Sequence, residues 1–132
     1  MILALKTSGD PTEIYILDNT GKIIAEKKWD AGRTLARDLL SEIEKLLART
    51  ELAKGWEDLT GVIVFRGPGS FTGLRIGITV ANAIAYGRNI PIVGTNGDDW
   101  LASGLKKLQK NQNNKIVLPE YGAPPNITKP KK

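Results

Sequence analysis

Eleven residues from Gly67 to Gly77, Gly-Pro-Gly-Ser-Phe-Thr-Gly-Leu-Arg-Ile-Gly, constrain this chain more than any other stretch. Before them runs Val62-Ile63-Val64-Phe65, an unbroken apolar segment of the length that forms a buried strand. After them, Ile76 to Tyr86 reads as a helix in which only Thr79 and Asn82 are strongly polar, apart from the Tyr86 hydroxyl. Strand, glycine turn and helix therefore follow one another directly. Gly67 and Gly69 can take φ > 0, and Pro68 between them stiffens the turn. Ser70 or Thr72 can cap the first helical turn with a side-chain oxygen. The turn motif is thus predicted to comprise Gly67, Pro68, Gly69, Ser70, Phe71, Thr72, Gly73, Leu74 and Arg75.

A helix that is apolar on all sides is covered on all sides. Gly73, Gly77, Ala81 and Ala85 recur at intervals of four. They form a ridge of small residues that lets another backbone approach closely. One face of this helix is predicted to pack on the sheet and the other to meet a partner, although the chain's own sheet and helices could also cover both.

The rest of the chain reads as βββαβαβα. Ile2 to Lys6, Glu13 to Asp18 and Lys22 to Trp29 are strands, joined by a turn from Thr7 to Thr12, with Gly9 and Pro11, and a hairpin at Asn19-Thr20-Gly21. Leu35 to Arg49 is a helix with Leu35, Leu39, Ile43 and Leu46 on one face and Leu40 and Leu47 beside them. Ile92-Val93 is a short strand, and Asp98 to Lys110 is a weaker helix. Gln109 to Lys115 is a polar linker, and Ile116 to Leu118 is a brief strand or an anchored end. An antiparallel meander followed by helical crossovers predicts an α/β fold with a mixed five-stranded sheet in order 3-2-1-4-5 and helices on its faces. This order resembles the ribonuclease H-like arrangement. The predicted lobe spans residues 1–110, and residues 111–132 form a basic, proline-rich tail.

Charge is uneven along the chain. Residues 1–104 hold 12 Lys/Arg against 13 Asp/Glu, whereas residues 105–132 hold 7 Lys and one Glu. The stretch 105–132, of net +6, can touch RNA or an acidic protein surface, and it can equally be a solvated end. Removing residues 119–132 is expected to weaken any RNA binding and to flatten its salt dependence; an unchanged salt slope would make the tail irrelevant to RNA.

With no cysteine and no histidine, thiol chemistry, Ser-His-Asp triads and Cys/His zinc sites are excluded. No apolar run approaches the roughly 20 residues a membrane span requires. The opening Met1–Lys6 is too short for a signal-peptide core and lacks a leading basic region, so a cytoplasmic location is expected.

The glycine motif lacks the Lys-Ser/Thr pair of a phosphate loop and the spacing of a dinucleotide fingerprint. Its helix start could still bind an anion with help from Arg66 and Arg75. Asp10, Glu13, Asp18 and Glu26 lie on or beside the first hairpins with no spacing that forces two of them into one cleft. Asp98-Asp99 suits a helix start. No catalytic residue and no metal site is assigned.

The motif Gly67–Gly77 resembles the signature of the bacterial TsaB proteins, also called YeaZ. The Leu-Ala-Leu-x-Thr-Ser start at Leu3–Ser8, the meander, the leucine-rich helix, Ile63-Val64-Phe65 and Ile90-Pro91-Ile92-Val93-Gly94 agree with that family, so the similarity covers about residues 2–105. Pro119-Glu120-Tyr121 is similar to the family's C-terminal Pro-x-Tyr.

The resemblance implies one lobe of the actin-like ATPase superfold and a non-catalytic subunit of the machinery that makes threonylcarbamoyladenosine in tRNA. It implies pairing with a TsaD-like catalytic subunit, or with a second copy, through the first two helices, and association with a TsaE-like ATPase. Carried onto this chain, the interface would use Leu35, Leu39, Ile43, Leu74, Gly77, Ile78 and Ala81. Ala81→Glu and Gly77→Leu are then expected to abolish association. No cofactor is expected on this chain alone, while ATP and magnesium would belong to the complex.

Family members are usually longer, with a second lobe that is not expected here. The family's Leu-Asp-Thr-Ser appears as Leu5-Lys6-Thr7-Ser8, and its His-Ser-Glu is replaced around Gly32-Arg33-Thr34. These departures argue against catalysis and against the competing reading of a stand-alone nucleotide-binding ATPase.

Overall fold

The computed structural model describes residues 1–50, 55–69 and 71–120. Alternating apolar runs build β1 (Ile2–Lys6), β2 (Thr12–Leu17) and β3 (Ile23–Trp29), an antiparallel meander. Helix α1 (Leu35–Ala48) crosses to β4 (Gly61–Phe65), which lies parallel to β1. Helix α2 (Phe71–Arg88) crosses to β5 (Ile92–Thr95), parallel to β4, and α3 (Trp100–Gln109) follows. The sheet order is β3-β2-β1-β4-β5, as the order of elements predicts.

Strand alternation gives the sheet two faces. Helices α1 and α2 pack together over one of them, and α3 covers part of the other. On the α3 side, the Trp100 ring lies 6.0 Å from both Tyr15 and Phe65. Leu3, Leu5, Ile14, Ile16, Leu39, Ile43 and Leu74 are fully buried. Each contributes roughly 1.5–3 kcal/mol by leaving water.

Close approach of α3 depends on Gly104. A Cβ there would sit 2.4 Å from Ile63 Cγ2 and 2.9 Å from Ile63 Cγ1, and Ile63 is itself fully buried. Gly104→Val is therefore expected to lower stability by about 2 kcal/mol, read from the denaturant midpoint; an unchanged midpoint would mean the contact yields freely.

The β2–β3 hairpin is closed by the Asp18 carboxylate, whose Oδ1 accepts from Thr20 Oγ1 at 2.6 Å, Thr20 N at 2.9 Å and Lys22 N at 3.0 Å. The Thr20 hydroxyl and the two amides hold this carboxyl below its usual range.

Boundaries differ from the sequence reading where backbone context decides them. Helix α2 starts at Phe71 rather than Ile76, so Phe71, Thr72, Gly73, Leu74 and Arg75 are helical and not part of the turn. Gly67, at φ 120°, followed by Pro68 and Gly69 suffices to reverse the chain, leaving the following residues to wind. Helix α3 starts at Trp100, and β5 extends to Thr95. The segment read as the start of a tail is held against β5 by Asn113 and Asn114, against α2 at Val117 and against Arg66 at Leu118 and Glu120, with Val117 buried, so Ile116–Leu118 is an anchored end. Residues 121–132, including Tyr121, Lys129, Lys131 and Lys132, lie outside the described residues, as does Ser70.

Candidate functional site

The glycine motif is a lock between two backbones. Thr7 Oγ1, just past β1, donates to Gly73 O at 2.7 Å. A Cβ on Gly77 would fall 2.0 Å from Thr7 Oγ1, and one on Gly69 would fall 2.3 Å from Ser8 Cβ. Gly67 is equally enclosed: a Cβ there would lie 2.0 Å from Glu120 O, and Asn96 Nδ2 donates to its carbonyl. The glycines thus let the β1 end, the β4–α2 turn and the first turns of α2 share one small volume.

That packing corrects the predicted interface. Leu35, Leu39, Ile43, Leu74, Gly77, Ile78 and Ala81 are all buried within the chain. The reason is helical phase. These residues form the inward stripes of α1 and α2, and the sheet and the facing helix cover them. The small-residue ridge serves the same internal approach, with Gly77 against Thr7. Ala81→Glu and Gly77→Leu would therefore test folding and not association.

The outward surface of the two helices is formed by their other sides. A groove of about 410 Å³ is lined by Ala36, Phe71, Thr72, Arg75, Thr79 and Val80. Another of about 500 Å³ is lined by Arg37, Leu40, Ser41, Glu44, Trp56 and Arg88. Phe71 is 55% exposed and Leu40 52%, and both lie on this outward surface of the adjoining helices. The Arg75 guanidinium lies 5.5 Å from the Phe71 ring centre. The sequence reading placed Leu40 beside the buried stripe; its position one residue past Leu39, about 100° around the helix, was the signal that it points elsewhere.

The candidate chemical groups do not converge. Lys6 Nζ sits 4.7 Å from the Phe65 ring centre, a cation–π contact. Arg66 Nε donates to Leu118 O at 3.0 Å. Glu13 accepts from the Tyr15 hydroxyl, and burial first, then this bond, pushes the phenol up. Asp18 closes its hairpin. A third hollow, about 420 Å³, has Asp10 and Arg33 in its wall but no second carboxylate. Among the described residues no cluster of three metal-ligating side chains occurs, and no helix is long and apolar enough to cross a membrane.

Residues 5–118 match the family model of TsaD, tRNA N6-adenosine threonylcarbamoyltransferase. The tRNA threonylcarbamoyladenosine biosynthesis protein TsaB of Haemophilus influenzae is 30% identical over 112 residues, covering 85% of this chain and 46% of its own length. TsaB of Bacillus subtilis is 32% identical over 102 residues, covering 77% of this chain and 43% of its own. Among solved structures, YeaZ from Pseudomonas aeruginosa superposes with a TM-score of 0.66 at 26% identity, over 83% of this chain and 49% of that one. The chain spans less than half the length of these curated relatives.

Proposed function

The chain belongs to the TsaB/YeaZ family, and from that premise we propose that it is a pairing subunit in threonylcarbamoyladenosine synthesis on tRNA. It docks through the outer face of α1 and α2 on a TsaD-like catalytic subunit, or on a second copy of itself. The observation that carries this reading is the pair of exposed apolar side chains, Phe71 and Leu40, each in or beside a groove between two helices whose inner stripes are already satisfied. Apolar surface of this kind gains free energy when a partner removes it from water.

The chain contributes no catalytic residue. Lys6 stands where the family carries an acid, and an ammonium cannot ligate magnesium. ATP and magnesium belong to the assembled complex, which a TsaE-like ATPase joins and which works in the cytoplasm. The basic tail supplies part of its hold on tRNA phosphates.

The test is sedimentation of the purified chain, alone and with the TsaD-like subunit of the same organism. A one-to-one complex, or a dimer of the lone chain, is expected. If the chain stays monomeric with the partner present, the reading fails. Tight magnesium-dependent ATP binding by the isolated chain would instead favour the stand-alone ATPase-like alternative.

A further inference from the structure

The two edges of the sheet are managed differently. Edge strand β3 carries Glu26, Lys27 and Lys28, charges that discourage another strand from pairing with it. Edge strand β5, Ile92-Val93-Gly94-Thr95, carries none. A short, uncharged, apolar edge is a template for pairing unless something occupies it.

Something does. Ile92 and Gly94 turn their backbone groups away from β4, and all four groups are taken. Ile92 N donates to Asn113 Oδ1 at 3.1 Å, and Ile92 O accepts from Asn114 N at 2.7 Å. Gly94 N donates to Asn114 Oδ1 at 2.9 Å, and Gly94 O accepts from Lys107 Nζ at 3.2 Å. Only one of these four partners is a backbone group; the others are two side-chain amides and an ammonium.

The segment is also clamped from the helix side. Asn82, a strongly polar residue within α2, accepts from Val117 N at 2.9 Å and donates to Val117 O at 3.0 Å, reproducing a strand pair with one side chain. Val117 is buried over Gly94, where a Cβ would meet Val117 Cγ1 at 2.7 Å.

We propose that residues 113–118 are a side-chain strap that seals the β5 edge against pairing with the β5 edge of a second copy. Asn113 and Asn114 imitate a sixth strand but present no continuous ladder of their own to extend. Displacing the strap exposes a two-residue row of amides and carbonyls on an uncharged strand. Pairing across it is distinct from docking on the α1–α2 face.

The test compares Asn113→Ala/Asn114→Ala with Asn113→Asp/Asn114→Asp, both in a Thr79→Arg background that weakens docking on the helix face and at concentrations where that background is monomeric. Amide hydrogen exchange is read at Ile92 and Gly94, and association by sedimentation across a concentration series. The alanine pair is expected to lose at least tenfold in protection at both amides and to self-associate where the parent background is monomeric. The aspartate pair keeps the acceptor oxygens and is expected to retain both properties. Asn82→Ala, which frees Val117 without touching β5, is expected to move in the alanine direction and decides the matter should the alanine pair fail to fold. Unprotected Ile92 and Gly94 amides in the parent would overturn the proposal. So would folded Asn→Ala and Asn82→Ala chains that remain monomeric with those amides exposed. Because association is read only where the background is monomeric, neither result depends on the proposed function.

Discussion

Gly77→Ala is expected to destabilise this protein by about 2 kcal/mol and to lower its melting temperature by several degrees. The direction opposes intrinsic propensity, since replacing glycine by alanine within a helix gains about 1 kcal/mol where nothing intervenes. Here the new methyl would fall 2.0 Å from Thr7 Oγ1 and 2.8 Å from Thr7 Cγ2. Thr7 cannot yield easily. It is buried, its branched side chain is stiff, and its hydroxyl is held by Gly73 O. Overpacking of such a site costs about 3 kcal/mol at the upper end of its usual range, which outweighs the propensity gain.

The partner experiment is Thr7→Ala. It removes the two nearest atoms and loses one hydrogen bond, for about 1 kcal/mol. The double variant is expected to be more stable than the sum of the singles by about 1–2 kcal/mol, a coupling that only direct contact produces. A Gly77→Ala chain more stable than its parent would mean that α2 does not press on the β1 end.

Thr79→Arg is expected to weaken pairing about 100-fold while leaving the unfolding midpoint within about 0.5 kcal/mol. Thr79 lines the groove beside Phe71 and Val80 and is exposed, so a longer charged side chain there is harmless to the monomer. At an interface it must be desolvated without a partner, and truncating or mispairing such a charge costs several kcal/mol. Lys110→Glu, exposed just past α3, serves as the control and is expected to leave pairing unchanged. Equal losses for the two would place the interface elsewhere. The expected pair of results separates the two sides of α2, with stability lost at Gly77 and association lost at Thr79.

Much of the architecture was legible beforehand because its signals are local. The continuous apolar run Ile14-Tyr15-Ile16-Leu17 reports a strand buried on both faces, and the four-residue stripe of α1 reports which side of that helix is buried, since burial requires an apolar side chain wherever it occurs. The hairpin turn before Gly21 and the glycine turn before α2 are equally local, since a positive φ favours glycine. The candidate interface was less legible. Helix α2 is apolar nearly all round, so hydrophobicity cannot tell an inner side from an outer one. The stripe of small residues fits a close approach to any backbone, and nothing within residues 71–88 says whose.

The sequence alone determined the order of elements, the sheet order that follows from right-handed crossovers, and a glycine signature specific enough to indicate the family. All three depend on residues near one another in the chain. Tertiary structure decided which side of α2 the chain keeps for itself, because that depends on Thr7, 70 residues before Gly77, filling the space a Cβ would need. It also decided that the asparagines after α3 close a strand edge. Their amides find Ile92 and Gly94 only once the sheet has brought a bare edge to them, and a hydrogen bond between residues about 20 apart leaves no period in the sequence to be read.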